Sequence, residues 1–216
     1  MSTFVFSDTH FTTKFNQRKF DKLAGLIKRA DQVIIDGDFW EGLIITFDEF
    51  LKSKWNELFP LLKEKHAIYI YGNHDDEYFC DERVSQFCDQ ALSSYLLETP
   101  KQKFLFTHGQ NFLYPKQPKG VKLIPHPRRE ELLHLIQYTI FSLFGPFAYP
   151  KSFNNISKQD RESITSMQNL LVCGHTHRPE LRKDLHFADL GAFNYGYANY
   201  MWIDDNGNFE LKSEKY

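Results

Sequence analysis

Short continuous apolar runs alternate along this chain with stretches where apolar residues recur every three or four positions. Residues 3–7, 33–36, 67–71 and 170–173 are apolar, β-branched or aromatic runs. They are stopped in turn by Asp8, Gly37, Gly72 and Gly174, and read as buried strands. Between the first two, Phe20, Leu23, Leu26 and Ile27 fall on one face of an amphipathic helix over 17–29. Residues 48–65 read as one or two helices broken near Pro60, and 81–91 as a further helix. Residues 95–98 and 103–107 read as strands around Pro100. Residues 185–211 read as short strands with turns near Gly191 and at Asn206-Gly207. Strand–helix–strand order implies a parallel sheet with right-handed crossovers. The pattern predicts an α/β chain of two mixed sheets packed face to face, with helices outside.

One segment breaks this rhythm. Residues 111–162 open rich in Pro and Lys (Pro115, Lys116, Pro118, Lys119, Lys122, Pro125, Pro127), pass Arg128 and Arg129, and become apolar on nearly every face over 132–144. Interruptions at His134, Gln137, Pro146 and Pro150 argue against a membrane span. Two readings stand. The helix packs on the core, or it is a lid that holds an apolar substrate tail or touches a membrane surface through 132–147. In the second, the basic residues attract phosphate or anionic headgroups.

Composition narrows the class. A length of 216 residues suits a single domain over 1–216, with 111–162 as a lid-like insert. An apolar content of 42% with 21 Phe argues for a packed core and against disorder. A net charge of −2, with no basic excess, argues against nucleic acid as partner. Cys80, Cys88 and Cys173 show no CxxC spacing and fit a reducing compartment. No charged leader precedes the first strand, so a cytoplasmic protein is expected.

Five short motifs carry the candidate chemistry: Asp8-Thr9-His10, Gly37-Asp38, Gly72-Asn73-His74-Asp75, Thr107-His108-Gly109 and Gly174-His175-Thr176-His177. Taken singly each is ordinary, a tight turn or a loop pair. In order, each at the end of a strand, they form a ligand inventory. Asp8 and His10, two apart in extended chain, point the same way and can reach one cation. Asp38 can bridge two cations, and Asn73 offers a neutral oxygen. His108, His175 and His177 complete the set. Carboxylate, amide and imidazole donors without thiolate suit Mn²⁺, Fe or Zn²⁺ better than Ca²⁺ or Cu⁺, and Mn²⁺ leads. Two adjacent divalent cations and hydrolysis of a phosphate ester are predicted.

This ordered series resembles the calcineurin-like metallophosphoesterases, whose pattern is Asp-x-His, Gly-Asp, Gly-Asn-His-Asp/Glu, His, Gly-His-x-His. The resemblance spans residues 8–177 and implies a four-layer α/β/β/α sandwich with a binuclear metal centre. Carried over position by position, Asp8, His10, Asp38 and His177 look like ligands of a first metal. Asp38, Asn73, His108 and His175 look like ligands of a second, with Asp38 bridging. The implied reaction is attack by a hydroxide between the metals on a phosphodiester, pyrophosphate or phosphomonoester. The substrate would be a small-molecule or lipid-linked ester. His74 neighbours a ligand but is not one in that pattern, and is the candidate acid for the leaving oxygen. Its partner is Glu41, where the family often has an acid, or its neighbour Asp75. His66, His126, His134 and His186 read as ordinary surface or core residues.

A narrower resemblance is to the UDP-2,3-diacylglucosamine diphosphatases of lipid A synthesis. It rests on a lid between the His-Gly motif and Gly174-His175-Thr176-His177-Arg178-Pro179, and on Ala188-Asp189-Leu190-Gly191 before a final hairpin. It implies a lipid-nucleotide pyrophosphohydrolase that holds acyl chains under the lid. One branch of that group carries Arg where this chain has His74. The retromer subunit of the same fold serves mainly for binding, so a non-catalytic metal-binding scaffold is the alternative of another class. That alternative expects decayed ligands, and here none is missing.

Overall fold

In the computed structural model, which describes residues 2–113, 115–117, 121–166 and 168–216, the apolar runs become the middle strands of two sheets. Pro118 and Lys119 of the Pro- and Lys-rich stretch lie outside the described residues. Strands β1 (Ser2–Phe6), β2 (Gln32–Asp36), β3 (Ile68–Ile70) and β4 (Gln90–Leu92) pair in parallel. The second sheet holds β5 (Tyr95–Glu98), β6 (Lys103–Phe106), β7 (Leu170–Cys173), β8 (Glu180–Arg182) and β9 (Phe187–Asp189), in the order β5-β6-β7-β9-β8. A hairpin of β10 (Tyr197–Asp204) and β11 (Phe209–Lys215) extends the first sheet antiparallel beside β1.

Side-chain alternation divides the core into layers. Val5, Ile34 and Ile70 point inward to meet Phe104, Phe106 and Val172 of the other sheet. Phe4, Phe6 and Ile35 point outward beneath α1 (Gln17–Arg29), α2 (Phe47–Lys52) and α3 (Phe59–Glu64). On the far side Leu171, Cys173 and Phe187 pack with Phe153 and with Ile164 of α5 (Lys158–Ser166). The result is a four-layer α/β/β/α sandwich. No helix among the described residues is long and apolar enough to cross a membrane.

Helix α1 has the bounds that its spacing predicts. Asn16 caps it, its side chain accepting from Lys19 N. Elsewhere the boundaries move. The 48–65 stretch breaks at Ser53, and Pro60 lies in the first turn of α3, where its missing N–H costs nothing. Residues 81–91 do not form the expected α-helix. They make a short 3-10 turn, Glu82–Gln86, and then β4. Phe87 explains the change: it is buried against the rings of Phe39, Phe50, Phe59 and Tyr69, which holds the chain close enough to β3 to pair with it. The insert carries α4, which starts at Pro127 and runs to Phe144.

Candidate metal centre

Parallel register sets the site. Val5 and Phe6 pair with Ile34 and Ile35, so the chain leaves β1 and β2 at the same sheet edge. The pairing continues into the loops, where Asp8 N donates to Gly37 O (3.1 Å) and His10 N to Asp38 O (2.9 Å). The buried ammonium of Lys19 donates to Thr9 O and to Asn194 Oδ1, and pins the same loop from below. The loops after β3, β6 and β7 reach this edge too, as expected for ligands gathered at strand ends.

Two glycines make the approach possible. At Gly37, φ is +83° and a Cβ would collide with the His108 ring. A Cβ at Gly174 would stand 2.5 Å from Asp8 Oδ2. Asp8, His10, Asp38, His175 and His177 themselves have φ of 53°, 46°, 50°, 74° and 63°. Non-glycine residues in this region cost about 1 kcal/mol or more each, and such strain collects at functional sites.

All seven candidate ligands converge, and each is buried. Asp8, His10 and His177 form one group, with His10 Nε2 3.1 Å from His177 Nε2 and His177 Nε2 3.4 Å from Asp8 Oδ1. Asp38, His108 and His175 form a second. Asn73 joins it, its Oδ1 2.8 Å from His175 Nδ1. Asp38 Oδ2 lies between the groups, 3.7 Å from His10 Nε2 and 3.1 Å from His108 Nε2.

The donor chemistry fits divalent cations. His108 Nδ1 donates to Asp36 O (2.8 Å) and its buried Nε2 faces Asp38 Oδ2 at 3.1 Å. Burial disfavours its cation, but Asp38 and Asp8 outweigh it and raise the ring well above the ordinary imidazole value, so His108 would release its Nε2 proton on taking a metal. Burial lowers His10 and His175 to about 4, so both rings are neutral and can act as ligands. Burial opposes ionisation of Asp8, but His177 and His108 outweigh it and hold the carboxyl at about 2. Asp38 is likewise lowered, burial being outweighed by His108 and His74.

Glu41 is the hub beside this centre. Its fully buried carboxylate accepts from His74 Nδ1 (2.6 Å), His10 Nδ1 (2.8 Å) and His134 Nε2 (2.8 Å). Burial again opposes its charge, and His74, His10 and His134 hold it well below the usual carboxylate range. His74 responds in the opposite sense. Burial disfavours its cation, yet Glu41 and Asp38 push it up to about 10.

Two expectations need correction. Asp75 does not face the His74 ring: its carboxylate accepts from the backbone N–H groups of Asp38 (3.0 Å), Phe39 (2.5 Å) and Gly72 (2.8 Å). With Trp40 N (3.4 Å) as a fourth, these donors from two loops leave it shaping the Asp38 loop. His134 is not an ordinary residue either. Besides Glu41 it meets Tyr195 Oη through Nδ1 (2.9 Å), and Tyr195 donates to Gln137. Glu130, His134, Gln137 and Phe141, spaced four, three and four apart, form the inward face of α4. Those polar interruptions in an otherwise apolar run were the signal available in the sequence.

A cavity of 280 Å³ opens over the centre, lined among others by Asp38, Asn73, His74, Gln137, His175 and His177. A second, of 410 Å³, is lined by His10 and His134 and walled by Phe11, Phe15, Trp55 and Tyr138. Arg178, directly after His177, donates to the backbone carbonyls of Phe147 and Tyr149 and ties the end of the insert to the ligand loop.

Comparison with known proteins agrees with this architecture. No curated protein sequence matches the chain. Among solved structures, an archaeal phosphodiesterase is similar at 16% identity over 99% of this chain and 100% of that one, with a TM-score of 0.51. Vps29 complexed with Zn²⁺ from Entamoeba histolytica shares 14% identity over 100% and 98% of the two chains (TM-score 0.47). Yfce, a phosphoesterase from E. coli, shares 18% over 95% and 89% (TM-score 0.47). The likeness to the archaeal phosphodiesterase bears on the fold alone. A family model described as the calcineurin-like phosphoesterase superfamily domain matches residues 1–206. The chain belongs to the calcineurin-like phosphoesterase superfamily.

Proposed function

We propose that this chain is a binuclear metal-dependent hydrolase of phosphate esters: a single domain over 1–216 whose insert at 111–162 lies over the site. The observation that carries this reading is the position of Asp38 Oδ2 between two buried donor groups. Asp8, His10, Asp38 and His177 would hold one cation, and Asp38, Asn73, His108 and His175 the other, Mn²⁺ being preferred for both. Bound there, the pair would lower the pKa of a water and neutralise charge on the phosphoryl oxygens.

The remaining work falls to the chain's own side chains. His74 lines the cavity, and Glu41 occupies its Nδ1. Because Glu41 and Asp38 outweigh burial and keep the ring cationic, its Nε2 also carries a proton, the one that the leaving oxygen needs. Glu41 keeps that ring protonated and aimed. Asp75 holds the backbone that presents Asp38. Gln137 lines the cavity from α4, and His134 ties that helix to Glu41.

The substrate is a phosphodiester, pyrophosphate or phosphomonoester. A lipid-nucleotide pyrophosphate is the second reading, favoured by the apolar helix above the cavity. Hydrolysis of bis-p-nitrophenyl phosphate with added Mn²⁺ tests the proposal. Activity that Asp38→Asn abolishes supports it, whereas full metal binding with no turnover on mono-, di- or pyrophosphate esters favours a binding scaffold.

A further inference from the structure

We propose that the outward face of α4 docks on an anionic lipid bilayer surface. The metal centre would then act on phosphate esters carried in that surface. This last step rests on the hydrolytic reading above, while the docking does not.

The helix is inverted relative to a normal surface helix. Its polar residues His134 and Gln137 point into the site. Its outward side exposes Leu132 (58%), Leu143 (70%), Phe144 (72%) and, just beyond, Phe147 (57%), while Leu135 (61%) stands at the rim of the 410 Å³ cavity. Residues 132–147 contain no Asp, Glu, Lys or Arg. A continuous apolar face of this kind on a water-facing helix marks an interaction surface.

Charge identifies what covers it. Arg128 stands four and seven residues before Leu132 and Leu135, on the same face. Arg129 stands in the same relation to Leu133 and Ile136. Both cations occupy the first turn, the positive end of the helix dipole, where they are unfavourable, and no side chain caps that end. Neither has a carboxylate within ion-pairing distance among the described residues. Glu130 is buried, and Glu131 pairs with Lys14 at 2.9 Å. The helix therefore offers an apolar face with two uncompensated cations at one end.

An anionic bilayer supplies acyl chains for the first and headgroups for the second. A second copy of this chain supplies only the first. Two such faces laid together would set the arginines against each other or against an uncharged stripe. On the other side of the same helix Gln137 lines the 280 Å³ cavity and His134 meets Glu41, so the thickness of α4, ~10 Å, would separate headgroups from the metal centre.

Co-sedimentation of the full chain tests this, using vesicles of equal parts phosphatidylcholine and phosphatidylglycerol against pure phosphatidylcholine. The protein is expected to pellet with the mixed vesicles. Arg128→Gln and Arg129→Gln should each weaken binding about 5-fold, and Leu143→Ser with Phe144→Ser at least ~10-fold. Unchanged melting temperatures would show that the variants remain folded. The proposal is overturned if the protein stays in the supernatant with mixed vesicles. Equal binding to pure phosphatidylcholine with no effect of the arginines also overturns it. So does a solution dimer that the outward substitutions dissociate while vesicles bind nothing. Vesicle binding is read without turnover, so hydrolysis of a soluble ester by a protein that ignores vesicles would leave the hydrolytic reading intact.

Discussion

Glu41 Oε1 lies 2.6 Å from His74 Nδ1, and the same buried carboxylate also holds His10 and His134. One anion thus orients the candidate proton donor, one candidate metal ligand and the helix above the site. A side chain three residues past Asp38 thereby links the candidate donor His74, the candidate ligand His10 and helix α4.

The first expectation concerns the proton donor. His74→Ala should bind metal normally yet lose kcat about 100-fold or more on esters with poor leaving groups, and much less on p-nitrophenyl esters. Glu41→Gln should follow the same trend, and the double variant should fall short of the sum. Steady-state kinetics across a leaving-group series checks this. Equal loss on good and poor leaving groups would remove the acid role.

The second is a protonation state. In protein stripped of metal, Glu41 and Asp38 overcome the effect of burial and raise His74 from 6.5 to about 10. A raised imidazole pKa means that the folded state holds the proton more tightly. The stability it contributes is complete below about 6.5 and is lost as pH rises through about 10. Histidine-ring NMR should therefore show His74 still protonated at pH 8, with Glu41→Gln shifting its titration back toward the ordinary value. His74 titrating at 6.5 in the wild-type chain would contradict the Glu41 pairing.

The third separates Asp75 from catalysis. Asp75→Ala removes the acceptor of four backbone N–H groups and should cost about 3 kcal/mol or more. The melting temperature should drop by several degrees, and kcat should show no dependence on leaving group beyond that of the wild type. A stable Asp75→Ala variant with selectively lost activity on poor leaving groups would restore a direct role.

The fourth addresses α4. His134→Ala deletes the hydrogen bond from the helix to Glu41 and should accelerate amide exchange across Pro127–Phe144 about tenfold. Exchange in α1 should be unaffected. An unchanged rate in α4 would mean that His134 does not hold the helix down.

Much of this was legible because local and global signals agree. The runs before Asp8, Gly37, Gly72 and Gly174 are apolar whichever face they present, as central parallel strands must be. α1 carries both its stripe and its Asn16 cap. The ligand motifs could be read because strand ends bring them together wherever they lie in the chain. Other features depend on tertiary packing. The 81–91 stretch becomes a turn and a strand because Phe87 joins an aromatic cluster whose other members lie up to 48 residues away in sequence, at Phe39. Beside His74 the sequence favours Glu41 and leaves Asp75 as the other candidate, and the loop geometry turns Asp75 toward backbone amides and Glu41 toward three imidazoles. His134 was obscured by its apolar neighbours, whose outward orientation reverses the usual sense of an apolar helix.

Anomalous diffraction from crystals grown with Mn²⁺ tests the central claim most directly. Two peaks on either side of the Asp38 carboxylate are expected, one against Asp8, His10 and His177 and one against Asn73, His108 and His175. A single peak, or none within reach of Asp38, would contradict the account.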